Sequence, residues 1–587
     1  MAVQTQHVVR AASLADVRKT GCLSVHLDGH TVVLFAYGDQ VYAVDNRCPH
    51  MGFPLDRGTV RDGILVCHWH HARFDLASGG TFDQWADDVR AFPTEIRDGE
   101  VWVDLTPRVD PIEHQRKRLQ DGLERNISLV NAKAVISLLE GGVDPAEPFR
   151  MGLEFGTRYR REGWGQGLTI HTCMMNLLPY LAPEDRPRAL YHGLSAVANN
   201  SDGAPPRFLI HPLPTETTDL ATLKRWFRHF VEVRDAEGAE RCIVSAVRAG
   251  ADDREMGDML FAAATDHRYL TIGHVLDFTN KAFEALDVVG WERAELVLTS
   301  LVNAYAGADR MEESSQWRTP IDLVELLEAA FEELPAIVLA GKNRREAWSD
   351  DGRLVGVLLS DDPKAIVDAL VDALSRGCPA ERLAGIVTYA AALRIAQFHT
   401  SNEFGDWDTA LHTFTFANAV QQGLKRIGTP VGDDAYIPLL RGVFDAAMSV
   451  YLDRFLNIPA ARIPQPNGKA ANPPELLSEL QAMLDRQQQV NEAGALVAQY
   501  LYGGGEPEQL LAMLGRLLLR EDRDFHTIQM IEAAFRQYSQ RRGTPEGTNV
   551  LIAAARYLAA HAPTMRAQGQ TFTIAQRLQR GERLFEE

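Results

Sequence analysis

Six cysteines in 587 residues are too few and too scattered for a disulfide framework. Cys22, Cys173, Cys242 and Cys378 lie far apart, and only Cys48 and Cys67 belong to a repeated cysteine–histidine pattern. No apolar run approaches the roughly 20 residues of a membrane-spanning helix. The opening stretch MAVQTQHVVRAASLADV lacks the charged-then-apolar order of a secretory leader. A cytoplasmic protein with no membrane partner is therefore expected. Positive charge is also short: the formal net charge is −19, of which residues 1–107, with 9 Lys/Arg against 14 Asp/Glu, hold −5. Acidity spread along the whole chain excludes nucleic acid as an expected partner. Gly-x-Ser-x-Gly, a phosphate-binding loop and His-x4-His are missing as well. Gly163-Trp164-Gly165-Gln166-Gly167 has the glycines of a nucleotide loop but no strand before it.

What is present is ordinary globular composition, 45% hydrophobic and 24% charged, in a chain too long for one core. Residues 5–106 read as short strands: Ser24–Leu27, Thr31–Ala36, Val41–Asp45, Ile64–Cys67, Thr94–Arg97 and Val101–Leu105. Turn chemistry separates them, as in Asp28-Gly29, Gly38-Asp39, Asp62-Gly63, Gly79-Gly80 and Asp98-Gly99. Among the strands lies CPHMGFPLDRGTVRDGILVCHWHH, which contains Cys48-x-His50, sixteen residues, then Cys67-x-x-His70. Two thiolates and two imidazoles at that spacing suit the two irons of a [2Fe–2S] centre. Cys2His2 sets also bind zinc, but zinc-finger pairs are separated by two or more residues, whereas one residue separates Cys48 from His50. His68 and His71 flank His70 and leave the register of the fourth ligand open.

Over roughly residues 1–107 this stretch resembles the Rieske family. The resemblance is carried by the four ligand-type residues with Pro49, Met51-Gly52 and Ala72-Arg73-Phe74-Asp75. It implies an all-β domain, a [2Fe–2S] cluster on Cys48, His50, Cys67 and His70, and electron transfer from a reductase partner. His71 stands where the family more often has Gly. High-potential members carry an extra disulfide between the loops, with Ser and Tyr after the second histidine. The corresponding positions here are Phe53, Trp69, Ala72 and Phe74, none of which supplies those groups. The resemblance therefore implies a potential toward the low, ferredoxin-like end.

After a break at Thr106–Pro111, residues 108–125 read as a linker leading into a charged helix over Ile112–Ile127. Residues 126–587 read as helix, with apolar residues at three- and four-residue intervals in Ile321–Leu334, Ala365–Leu374 and Gln509–Leu519. Two markers recur in the same order. Glycines Gly142, Gly250, Gly377 and Gly505 each end one helix before an acidic or proline-containing start of the next. Downstream of each comes a histidine on a helix: His171, His274, His412 and His526. The expected architecture is an N-terminal all-β domain followed by a large all-α region of about four divergent helical repeats. Its connections include Ser201–Pro214, Gly307–Pro320 and Ile463–Pro474, with Gln465-Pro466-Asn467-Gly468 the strongest loop signal.

Histidines on helices offer a second chemistry. His267 and His274, seven apart, share a face of a continuous helix; His399 and Glu403 are four apart, followed by Asp406, Asp408 and His412; Asp522 and Asp524 precede His526. These residues and His171 are the candidates for a second metal such as non-haem iron, although the paired Glu-x-x-His motifs of ferritin-like sites are missing. The repeated histidine helices are similar to those of questin-oxidase-like oxygenases, a similarity that assigns no residue. The expected function is an iron–sulfur oxidoreductase that passes electrons to this second site, with O2 and a small apolar substrate as reactants. The rival is a non-enzymatic electron carrier whose helical region is a docking scaffold for a separate oxygenase or reductase.

Overall fold

Alternation in the first hundred residues becomes three small antiparallel sheets. The elements are β1 (Val8–Ser13), α1 (Leu14–Thr20), β2 (Cys22–Leu27), β3 (His30–Tyr37), β4 (Gln40–Asp45), β5 (Thr59–Arg61), β6 (Ile64–Val66), β7 (Arg73–Asp75), β8 (Ala91–Phe92), β9 (Thr94–Arg97) and β10 (Glu100–Asp104). The strands order as β1-β10-β9, β2-β3-β4-β8 and β5-β6-β7. The computed structural model describes residues 7–83, 85–106, 110–214, 219–342, 344, 348–350, 352–428, 436–465 and 472–585. Most of the expected loop Gln465–Gly468 lies outside them. The run Val32-Val33-Leu34-Phe35 is buried on both faces of β3. Val33 and Phe35 pack with Cys48, Leu65, Cys67 and Phe74, while Val32 and Leu34 pack with Val41, Val101 and Val103. One strand thus separates two cores, one of which backs the cysteine loops.

By its contacts the chain forms two compact units, Met1–Pro148 with Gln568–Glu587, and Phe149–Ala567. The first therefore holds two further helices near its start, α2 (Pro111–Glu124) and α3 (Ser128–Glu140), and nearly all of the chain's last helix, Ala567–Gln579. Asp110 caps α2 by accepting from the Ile112 and Glu113 N–H groups, with Pro111 in the first turn. The helix stops at Glu124, short of the expected Ile127, because Asn126 turns left-handed at φ 52°. A buried ion cluster ties α2 and α3 to the β domain: the Asp87 carboxylate accepts from Arg118 at 2.6 Å and from Lys133 at 3.0 Å.

The helices then run in four rounds. The first is α3, α4 (Ala146–Arg158), α5 (Gln166–Leu177), α6 (Arg186–Ser201) and α7 (Leu220–Glu232). The second is α8 (Ala236–Arg248), α9 (Asp253–Ala264), α10 (His274–Val289), α11 (Ala294–Thr299), α12 (Val302–Ala306) and α13 (Leu323–Lys342). The third is α14 (Arg353–Leu358), α15 (Pro363–Ser375), α16 (Ala380–Ala396), α17 (Asp406–Ile427), α18 (Ile437–Leu452) and α19 (Pro473–Met483). The fourth is α20 (Val490–Tyr502), α21 (Pro507–Leu519), α22 (Phe525–Gln540), α23 (Pro545–Ala560) and α24 (Ala567–Gln579).

Helices α3, α8, α15 and α20 end in the same way, with a left-handed glycine two residues past the last helical residue. These glycines are Gly142, Gly250, Gly377 and Gly504, at φ 82°, 92°, 93° and 83°. The next N–H in each case reaches back to the carbonyl five residues earlier: Val143 to Leu138, Ala251 to Ala246, Cys378 to Ala373 and Gly505 to Tyr500. The fourth marker is thus Gly504 rather than Gly505, which packs against the Tyr500 ring instead. Within the second unit, α5, α10, α17 and α22 pack in a closed ring, each against the next and α22 against α5. Among the described residues no helix is long and apolar enough to cross a membrane.

Candidate metal centres

Cys48 and Cys67 open two loops of one design. The Cys48 N–H donates to the Phe53 carbonyl and the Gly52 N–H to the Cys48 carbonyl, both at 2.8 Å. In the second loop the Cys67 N–H donates to Ala72 at 2.8 Å and the His71 N–H to Cys67 at 2.9 Å. Each loop aims two backbone N–H groups at its own sulfur: His50 and Met51 at Cys48, Trp69 and His70 at Cys67. Such donors favour the thiolate that a metal requires. Both sulfurs are buried and the two side chains hydrogen-bond to each other. With Cys48 donating, Cys67 is pulled down to about 6, and Cys48 is pushed up in turn.

Between the loop tips the His50 and His70 rings meet edge to face, centroids 4.8 Å apart. Burial first, and His70 second, push His50 down to about 4, leaving a neutral ring able to coordinate. Its Nδ1 is buried without a hydrogen-bond partner. The three neighbouring histidines differ in their contacts. His70 meets His50, whereas His68 lies 3.2 Å from the Thr59 hydroxyl and His71 is exposed. Two buried sulfurs with paired N–H donors, two neutral imidazoles and an orphaned ring nitrogen are a donor set that fits a [2Fe–2S] cluster. Residues 7–93 match the family model for the Rieske [2Fe-2S] domain.

Residues 7–93 are a Rieske [2Fe–2S] domain.

The Rieske domain is similar over 99 residues, at 25% identity, to the ferredoxin component of the naphthalene 1,2-dioxygenase system of Pseudomonas putida, covering 17% of this chain and 95% of that protein. Human apoptosis-inducing factor 3 is 24% identical over 186 residues, which span 31% of this chain and 29% of that protein. Among solved structures, the ferredoxin of carbazole 1,9a-dioxygenase from Nocardioides aromaticivorans IC177 is 29% identical, with a TM-score of 0.16, over 16% of this chain and 95% of its own. The Rieske loops also have surroundings that the cysteine–histidine pattern does not show. Trp69 lies beside His70 and Trp85 beside His50, with centroids 4.4 and 4.7 Å apart. Phe585, from the far end of the chain, packs on Phe53 at 5.2 Å and on Trp69 at 6.0 Å. Lys133, on α3, donates to the Pro49 carbonyl inside the first loop at 2.6 Å.

In the second unit three of the four repeat histidines come together. His274 begins α10, His412 lies in the second turn of α17, and His526 is the second residue of α22. One ligand atom from each lies within 4.8 Å of the other two. The Nε2 atoms of His412 and His526 are 3.0 Å apart, and the His274 ring stands edge-on to His412 at 4.7 Å. Burial and their mutual proximity lower His274 to about 4 and His412 to about 2, so these rings are neutral at pH 7. Phe278 and Phe525 flank the His274 ring at 5.4 and 5.6 Å.

The other candidates are elsewhere. His171 faces out of the ring of helices: it bonds the Phe149 carbonyl at 2.8 Å and fills the space between Gly152 and Gly193, where any Cβ would clash with it. His267 does not share a helix with His274. Tyr269, Thr271, Ile272 and Gly273 take left-handed φ of 46°, 46°, 49° and 93° and break the chain between them. His267 is instead bound between Glu232 at 2.6 Å and Glu312 at 2.5 Å. His399 and Glu403 precede α17 in irregular chain, so the four-residue spacing sets up no shared face; His399 bonds Ser401 at 2.6 Å and Glu403 is exposed. Asp524 caps α22 through the Thr527 N–H. Asp408 alone among the flanking acids turns toward the cluster, with Oδ2 3.5 Å from His526 Nδ1 and Oδ1 accepting from the Tyr557 hydroxyl at 2.6 Å. Tyr557, a buried aromatic in an apolar helix, carries no sequence signal for this role.

Proposed function

We propose that this chain is an iron–sulfur oxidoreductase whose Rieske domain takes electrons singly from a reductase for use at a redox site in the helical region. Cys48 and Cys67 would hold one iron, and His50 and His70 the other. The observation that carries the ligand assignment is the pair of matched loops, each presenting one sulfur with two N–H donors and one imidazole. When bound, the cluster supplies one-electron chemistry, a single iron cycling between ferric and ferrous with no bond made or broken. His70 is exposed and gives the electron its way in and out, while the buried sulfurs and the core of Val33, Phe35, Leu65 and Phe74 keep water from the other side.

The reaction class we assign is oxygenation of a small apolar molecule. One atom of O2 enters the substrate and the other leaves as water, with two electrons and two protons consumed. The aromatic residues around the three histidines suit such a substrate, and the naphthalene relative is itself the ferredoxin component of a dioxygenase system.

In the full-length protein, Cys67→Ser and His70→Ala are each expected to lose the visible absorption and the Rieske electron paramagnetic resonance signal while keeping the far-ultraviolet helical spectrum. Retention of both signals in either variant overturns the ligand assignment. For the reaction, reduced protein supplied with a reductase and air is expected to oxygenate members of a panel of small aromatic hydrocarbons. Activity only when a separate oxygenase is added favours the docking scaffold.

A further inference from the structure

We propose that His274, His412 and His526 hold a single redox-active transition-metal ion in the ring of α5, α10, α17 and α22, with iron the metal of choice. The choice of a redox-active metal rests on the oxidoreductase reading above; the site itself does not.

Geometry comes first. Metal–imidazole bonds of about 2.0–2.1 Å place neighbouring ligand nitrogens about 3 Å apart. His412 and His526 already present their Nε2 atoms at 3.0 Å, and His274 offers a third ligand nitrogen within 4.8 Å of both, so its ring has to move in by roughly half an ångström to share an ion whose bonds span at most about 4.2 Å. A hydrogen bond between His412 and His526 accounts for two of the rings but not the third. Among the described residues, nothing hydrogen-bonds the ring nitrogens of His274. An all-imidazole set suits iron, copper, nickel or zinc rather than calcium or magnesium. Three protein ligands leave coordination positions free, as catalytic sites do and closed structural sites do not.

The surroundings are those of a metal site. The Asp408 carboxylate, 3.5 Å from His526 Nδ1, favours a proton on that nitrogen and so a free Nε2 lone pair on the side facing His412, as carboxylates near metal-binding histidines do. The Tyr557 hydroxyl holds Asp408 in place. On the other side, three non-glycine residues, Tyr269, Thr271 and Ile272, occupy left-handed backbone just before His274. Each costs about 1–2 kcal/mol, and for the branched Ile272 the conformation is an outlier. The turn is pinned by hydrogen bonds between Thr271 and Asp309 and by Gly273, whose Cβ would clash with Phe416. Its result is that α10 starts at His274, which places this ring beside His412. Strain of this kind persists where the surrounding fold requires it, and it concentrates at functional sites.

The experiment is equilibrium dialysis of the full-length, cluster-loaded protein against Fe(II), and separately Co(II), under argon, with metal counted per chain. Wild type is expected to bind about one ion beyond the two cluster irons and to melt at a higher temperature with it. His412→Ala, His526→Ala and His274→Gln are expected to lose that ion with the cluster's resonance signal unchanged. Asp408→Asn should weaken binding about 10–100-fold, the range of other outer-sphere carboxylates. His274→Gln breaks no hydrogen bond, so its apo form should melt as wild type does. The proposal is overturned if wild type takes up neither metal, or if His274→Gln binds as wild type does. Because the cluster signal is read on the same samples, its absence from wild type would count against the Rieske ligand assignment and not against this site.

Discussion

Gly52 and His71 are the same residue of two matched loops. Each sits four positions after a cysteine, each donates its N–H to that cysteine's carbonyl, and each is left-handed, at φ 80° and 62°. Glycine takes this backbone freely and histidine does not. His71→Gly is therefore expected to stabilise the Rieske domain by about 1 kcal/mol, read as a raised denaturation midpoint followed through cluster absorbance. Gly52→Ala should cost about 1–2 kcal/mol, because a Cβ there meets Leu578 at 3.1 Å and Arg47 at 3.2 Å as well. A lowered midpoint for His71→Gly would show that the His71 side chain does more than tolerate its place.

Lys133 brings a buried ammonium to the first cysteine loop through the Pro49 carbonyl. A positive charge there stabilises the reduced, more negative cluster. Lys133→Met is expected to lower the reduction potential by on the order of 50 mV, equivalent to about 1 kcal/mol. A potential titration monitored by electron paramagnetic resonance checks this, and an unchanged or raised potential refutes it. Arg118 still pairs with Asp87 in the variant, so the domain should remain folded.

Deeper in the ring of helices, the Lys281 ammonium lies 2.9 Å from Glu284 and 2.5 Å from Glu532, all three buried. Asn176 donates to both carboxylates, and Arg536 approaches them from one side. Removing the central cation leaves two carboxylates sharing one arginine. Lys281→Met is expected to destabilise the helical unit by about 3–5 kcal/mol, measured by urea denaturation. A loss under about 1 kcal/mol, the worth of an exposed pair, would mean that Arg536 alone neutralises the site.

Asp277 lies one turn along α10 from His274, wholly buried, and accepts from the Gln529 amide. Desolvation pushes its carboxyl up to about 7; Lys281 and Gln529 offset part of this, while Glu532 and Glu284 add to it. In the unfolded chain it titrates near 3.9. Below that pH both states are protonated and the contribution to stability is complete. As pH rises toward 7 the unfolded chain releases a proton that the folded protein keeps, so stability falls by up to about 1.4 kcal/mol per unit. Asp277→Asn is expected to flatten the pH dependence of the urea midpoint between about pH 4 and 7. A variant with the wild-type slope excludes Asp277 as its source.

Much of the architecture was legible because local rules govern it. Turn glycines and alternation mark the strands, and the cysteine–histidine spacing marks the cluster loops. Left-handed caps are local as well, although choosing between Gly504 and Gly505 requires knowing that Tyr502 is the last helical residue. The candidate site was legible only in part, because convergence is a tertiary property. His171 and His274 look alike in sequence, yet one faces Phe149 and the other the inside of the ring. Spacing misled for His267 and His274, since periodicity cannot register a left-handed turn built mainly from residues that are not glycine. Asp87, Lys133 and Tyr557 gave no signal, because their partners are 31 to 149 residues away.

Phe585 is the last aromatic of the chain, yet it packs on Phe53 and Trp69 in the loops that open at Cys48 and Cys67. That contact sets an order of events during synthesis. At ~5–20 residues per second a ribosome needs roughly half a minute to nearly two minutes to travel from the second cysteine loop to Phe585. For most of that interval Trp69 and Trp85 can already stand beside His70 and His50, while Phe53 and Trp69 lack the ring that later packs on them, so iron and sulfide meet loops with one aromatic fewer than the finished chain.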